Sequence, residues 1–90
     1  MNYWKIKNTC KSKVRFVISG GPSKSTGIVL MPNECIICNP KQTPSMDAQI
    51  RRNFVDVVKD FDNEIYGLEI GKVYSEQEIE QKKVEKSNVV

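Results

Sequence analysis

The stretch Val14-Arg15-Phe16-Val17-Ile18-Ser19 decides the fold class of this 90-residue chain. Its even-numbered positions hold Val, Phe and Ile, and its odd-numbered positions hold Arg, Val and Ser. This period of two, in β-branched and aromatic residues, is typical of a strand with one buried face. Residues 14–19 are therefore predicted to form a half-buried β-strand.

Similar patterns on both sides of this segment predict more strands. These are Tyr3–Lys7, where large apolar residues alternate with basic ones, and the short apolar runs Ile28–Met31 and Glu34–Cys38. The segments between them have the composition of turns and loops: Asn8–Ser12, the cluster Gly20–Gly27 (GGPSKSTG) and Pro32-Asn33. The first forty residues are thus predicted to form a β-meander.

Thr43-Pro44 predicts the start of one short helix, about residues 44–52. A threonine hydroxyl can cap a helix, proline is favoured at the first helical position, and Met46 and Ile50 lie one turn apart. Asn53 suits the left-handed conformation that ends many helices. Because small and apolar residues also alternate from 46 to 50, a continuous strand through this segment is the alternative.

The rest of the chain is predicted to add short strands and a charged tail. The strand segments are Phe54–Val58, Glu64–Ile70 and Lys72–Tyr74, with a polar turn at Asp60–Asn63. Ser75 and Glu78 fit a capping box, so residues 75–90 are predicted to be a frayed helix or a flexible tail. The predicted fold is mainly β: a single domain over residues 1–74, built as a small β-sandwich or partly open barrel of about six to seven short strands.

The sequence contains no histidine. Histidine is the commonest general base and the usual partner of a catalytic serine or cysteine, so hydrolytic triads are excluded. The acidic residues fall at predicted turns and solvent-facing strand positions, where they need no special explanation. We predict no catalytic, cofactor-binding or metal-binding residue, and we do not expect an enzyme.

Three cysteines include one C-x-x-C pair, Cys35 and Cys38, with Cys10 as the third. On a strand, residues three apart point to opposite faces, and a structural zinc ion would lack a fourth ligand from this chain. The cysteines are therefore predicted to be free, small and apolar. The odd number of cysteines and the lack of a signal-like start predict a protein of the cytosol. The absence of a long apolar run predicts that the chain has no membrane segment.

Basic charge is concentrated in residues 1–40, which hold six Lys or Arg residues against Glu34 alone. Such a surface could bind nucleic acid, with Tyr3, Trp4 or Phe16 stacking on bases. A small basic nucleic-acid-binding β-barrel is therefore the alternative function. Against it, Trp4 and Phe16 occupy positions where a small core needs large apolar side chains.

Four segments follow one another along the chain in an order that is typical of a known class of proteins. They are Ile6-Lys7-Asn8, Val14-Arg15-Phe16, Gly27 to Glu34, and Thr43-Pro44 leading through Gln49-Ile50-Arg51-Arg52 to Val57. Over residues 3–58 this order resembles small β-rich structural proteins of tailed bacteriophages. Where those proteins usually have glycine, in the turn before Glu34 and after the arginine pair, this chain has Asn33 and Asn53.

The resemblance implies a subunit of the capsid, neck or tail, which contacts copies of itself and other virion proteins. It implies an oligomer in the virion, assembled in the host cytoplasm. The candidate partner contacts are Tyr3, Trp4, Lys24, Arg51, Arg52, Ile79 and Val84.

Overall fold

The computed structural model describes residues 3–19 and 25–87. As predicted, this part of the chain is mainly β, with six strands in two sheets that do not close into a barrel. The strands are β1 (Tyr3–Asn8), β2 (Val14–Ser19), β3 (Ser25–Leu30), β4 (Glu34–Cys38), β5 (Val55–Phe61) and β6 (Val73–Ser75). The helices are α1 (Pro44–Arg51), α2 (Asn63–Tyr66) and α3 (Glu76–Ser87).

The predicted β-meander is wrong, because β1 does not pair with β2. β1 lies inside the main sheet, whose order is β5-β1-β4-β6, and it is antiparallel to both of its neighbours. β2 and β3 form a separate antiparallel hairpin. The chain leaves the main sheet after Asn8, so the next strand starts a second layer.

Asn8 explains this change of layer. Its side chain is fully buried, and Nδ2 donates to the carbonyl oxygens of Ser12 and Leu30, each at 2.9 Å. Its Oδ1 accepts a hydrogen bond from the Cys10 backbone N–H at 2.8 Å. One amide thus fixes the turn after β1 and ties it to the end of β3.

The hairpin packs over one face of the main sheet around a first core cluster. Inward side chains of β2, at the alternating positions that the sequence predicts, meet apolar residues of β1, β4, β5 and α1. The buried members are Ile6, Val14, Phe16, Ile18, Leu30, Ile36, Cys38, Met46 and Val55. This packing of two sheets agrees with the predicted small sandwich.

A second core cluster covers the opposite face of the main sheet. Its buried members are Cys35, Ile37, Phe61, Leu68, Tyr74 and Ile79, drawn from β4, β5, β6, α3 and the α2–β6 connection. β4 is therefore buried on both faces, which explains its unbroken apolar run. The charged α3 begins as the predicted capping box, with the Glu78 N–H donating to Ser75 Oγ at 3.2 Å, and Ile79 anchors it to the core.

The predicted helix after Thr43 is confirmed, and the alternative strand is wrong. Thr43 Oγ1 accepts from the Met46 N–H at 3.3 Å, and α1 ends before Asn53, whose φ of 60° is left-handed. Asn33 has a φ of 67°, and the Glu34 N–H donates to the Met31 carbonyl at 3.0 Å, as expected for the predicted turn.

Two predicted boundaries and one predicted element type are wrong. β3 starts at Ser25, inside the predicted loop, whose residues 20–24 lie outside the described residues. β5 extends into the predicted polar turn Asp60–Asn63 and ends at Phe61. The predicted strand from Glu64 is instead α2, because Asp62 caps its first turn and Gly67, with a φ of 66°, ends it.

Candidate protein-interaction surface

The C-x-x-C cysteines lie on opposite faces of β4, as predicted. Cys38 belongs to the first core cluster and Cys35 to the second. Burial raises the pKa of the Cys38 thiol to about 11 and also raises that of Cys35, so both stay protonated near neutral pH. In residues 3–19 and 25–87, no cluster of three metal-ligating side chains occurs, and no helix there is long and apolar enough to cross a bilayer.

The basic residues of the front half do not form one face. Lys5 lies over the Phe61 ring, with Nζ 5.7 Å from the centroid, on the side of the second core cluster. Lys7 lies on that side too, and its Nζ is 2.6 Å from Glu76 Oε2. Arg15 is exposed on the outer face of the hairpin, in a different layer of the molecule.

The Lys7–Glu76 pair joins β1 to the first turn of α3. The hydrogen bond to Glu76 raises the pKa of Lys7, and the same bond lowers the pKa of Glu76. Because the Glu76 pKa is lowered, the pair stabilises the fold above the ordinary carboxylate range and is lost as pH falls through the lowered value. Both side chains are partly solvated, so the contribution is small.

In the described part of the chain, the side chains of four of the seven candidate contact residues contact other residues of the same chain. Tyr3 packs against the second cluster and Trp4 against the first, in a strand bonded on both sides. Ile79 is only 3% exposed. Arg51 pairs with Asp47 at 2.9 Å, and Arg51 and Arg52 are exposed. Lys24 and the side chain of Val84 lie outside the described residues.

Helix α1 covers the outer edge of β2. The Thr43 hydroxyl donates to the Val17 carbonyl at 2.6 Å, and the Val17 N–H donates to Ser45 Oγ at 2.9 Å. Gln49 Nε2 donates to the Arg15 carbonyl at 2.9 Å. Three backbone groups of β2 that face away from the hairpin, the Val17 N–H and the Val17 and Arg15 carbonyls, are therefore bonded to side chains of α1 or of its cap.

The same bonds define which groups of β3 point outward. In an antiparallel pair of strands, two opposed residues are alike: if the N–H and C=O groups of one point away from the partner strand, those of the other do so too. Val17 opposes Gly27, and Arg15 opposes Val29. The N–H and C=O groups of Gly27 and Val29 therefore point to the outer edge of β3, where the sheets of the described residues place no further strand.

This outer edge, residues 25–30, is the feature that the sequence reasoning missed, and we call it the β3 edge. It carries no charged residue, and Val29 is 43% exposed. Beside it lies a shallow, open hollow of about 360 Å³, whose lining includes Val17, Gly27 and Val29. The sequence contains a signal for it, because Ser25 to Leu30 is an uncharged run that follows the strongly predicted strand Val14–Ser19.

The other sheet edges have features that discourage pairing. β5 carries Asp56, Lys59 and Asp60, and its register with β1 shifts between Tyr3 and Lys5. β6 is three residues long and leads directly into α3. Charges, irregularities and short length are the ways in which natural sheets protect their edges. Of the strand edges described, the β3 edge is the long one without such protection.

Comparison with known proteins found no matching family model, no matching curated protein and no matching solved structure. A functional interpretation therefore depends on the chemistry and geometry of the residues themselves.

Proposed function

We propose that this protein is a non-enzymatic structural subunit of a bacteriophage particle, in the capsid, neck or tail, and that it acts through protein–protein contacts. The observation that carries the proposal is the β3 edge, where the backbone groups of Gly27 and Val29 point away from every strand of the described residues, beside the exposed side chain of Val29. Such an edge suits strand addition, where backbone hydrogen bonds supply affinity.

The two left-handed asparagines support the resemblance to phage structural proteins. Asn33 and Asn53 stand where those proteins usually have glycine, and both have positive φ. Glycine adopts this conformation without steric cost, and asparagine is among the few other residues that tolerate it. The substitutions are thus compatible with the same turns.

The scattered basic groups disfavour the nucleic-acid alternative. Phe16 is buried, and Trp4 packs against the first cluster with Lys59 Nζ 5.3 Å from its ring centroid, so both rings already have partners within the chain. Lys5 and Lys7 lie across the molecule from Arg15, which leaves these three without a shared phosphate-facing stripe. Protein partners therefore fit the described surface better.

Purified particles provide the test of this function. We expect peptides of this chain to accompany the major capsid protein at a fixed molar ratio through a density gradient and a following size-exclusion step. Quantitative mass spectrometry measures that ratio, with an abundant host protein as the control that should be removed. A chain that stays entirely in the soluble fraction while complete particles sediment would contradict the proposal.

A further inference from the structure

We infer that two copies of this chain pair through their β3 edges, antiparallel and about a two-fold axis at Ile28, which joins two hairpins into one four-stranded sheet. The inference deepens the proposed function and rests on it, because it names the surface and the first partner. The partner is a second copy of the same chain.

The backbone fixes the register. Gly27 and Val29 point their N–H and C=O groups outward, so an added antiparallel strand must exchange hydrogen bonds with these two residues. With the axis at Ile28, Gly27 of each copy opposes Val29 of the other. Each such pair forms two hydrogen bonds, and both pairs together give four.

Side chains on the outer face favour this register. Gly27 and Val29 are two residues apart, so they share the outer face of the hairpin. A Cβ atom added at Gly27 would meet no atom within 4 Å. Val29 of the second copy, beside Gly27, would lie at the open hollow that Val17 and Gly27 help to line. The same contact occurs twice because of the symmetry.

The inner face also gains from pairing. Ile28 is half-buried and packs at the border of the first core cluster. On the axis, the two Ile28 residues form a non-hydrogen-bonded pair, in which side chains lie closest. Pairing would cover the part of each Ile28 that remains exposed in one copy.

Each chain has a net charge of +3, but this charge does not prevent two β3 edges from meeting. Residues 25–30 contain no charged side chain. Among the described residues, the nearest basic residue on this face is Arg15, opposite Val29 on β2. In the paired sheet, the backbones of the two Arg15 residues are about 16 Å apart by strand spacing. This distance exceeds the Debye length at physiological salt, so their repulsion is screened.

The test compares Val29→Lys with the matched control Val58→Lys by sedimentation analysis across a concentration series. Both valines are strand residues with similar exposure, 43% and 41%, and both lie opposite a basic residue, Arg15 and Lys5. In the dimer, the two introduced lysines would lie about 8 Å apart. We expect Val29→Lys to raise the dimer dissociation constant at least tenfold, and Val58→Lys to change it less than twofold.

Amide hydrogen exchange of the wild-type protein gives a second readout that needs no variant. The Gly27 and Val29 amides should exchange rapidly in dilute solution and slow down at least tenfold as the dimer fills. Wild-type dimers whose dissociation constant is unchanged by Val29→Lys would overturn the inference. A wild-type chain that is monomeric at every concentration would also overturn it. So would exchange rates of the Gly27 and Val29 amides that do not change with concentration. None of these results concerns particle composition, so the proposed function can stand or fall separately.

Discussion

Replacing Asn8 with leucine is expected to lower the free energy of unfolding by about 3 kcal/mol. Leucine has the same number of side-chain heavy atoms and the same branching as asparagine, but it makes none of the three hydrogen bonds of the native amide. The Leu30 carbonyl would lose the Asn8 donor in a fully buried position, and the Cys10 N–H would lose its acceptor. Unmet buried groups cost more than the lost bonds themselves.

Urea unfolding measures the effect of Asn8→Leu. The matched control is Asn39→Leu, because Asn39 is exposed and its change should stay within about 0.5 kcal/mol. A loss below about 1 kcal/mol for Asn8→Leu would mean that this side chain does not hold the two sheets in place.

Replacing Ile79 with alanine is expected to lower the free energy of unfolding by about 3 kcal/mol. Ile79 is 3% exposed and belongs to the second core cluster, so truncation would leave a cavity under α3. The control is Ile65→Ala in α2, where the side chain is 50% exposed and the cost should be under about 1 kcal/mol. Equal effects for the two variants would contradict the position of α3 in the core.

The buried position of Ile79 also changes how contacts of the C-terminal segment should be tested. Deleting residues 75–90 would remove Ile79 together with α3, and so uncover Leu68 and Tyr74 of the second cluster. Lost assembly after such a deletion would then report lost folding. Point changes at exposed positions of α3, such as Gln77 or Glu80, leave Ile79 in place and so keep the core intact.

Local pattern predicted most of the strands and α1, because period-two alternation and capping chemistry act within a few residues. Val14 to Ser19 and the Thr43 cap are clear cases. Strand pairing was not predictable in this way, since the pairing of β1 with β5 depends on residues about fifty positions apart. Asn8 looked like an ordinary turn residue, and only the folded chain brings Leu30 to its amide.

The short helix α2 could have been predicted, since Asp62 and Gly67 are typical cap residues, but apolar residues between them suggested a strand. The β3 edge is a different case. Two features that depend on distant residues leave it open for pairing: α1 covers the β2 edge of the hairpin, and the strands of the main sheet do not pair with β3. No window of sequence contains both facts.

The most direct test of the central claim, that this chain works through protein contacts, is its absolute mass in solution. Light scattering coupled to size exclusion would measure it across a concentration series, with and without DNA or RNA at physiological salt. The account predicts a mass that rises above the 10.3 kDa of one chain, in a peak free of nucleic acid. A 10.3 kDa species at every concentration that joins nucleic acid when it is present would contradict the account.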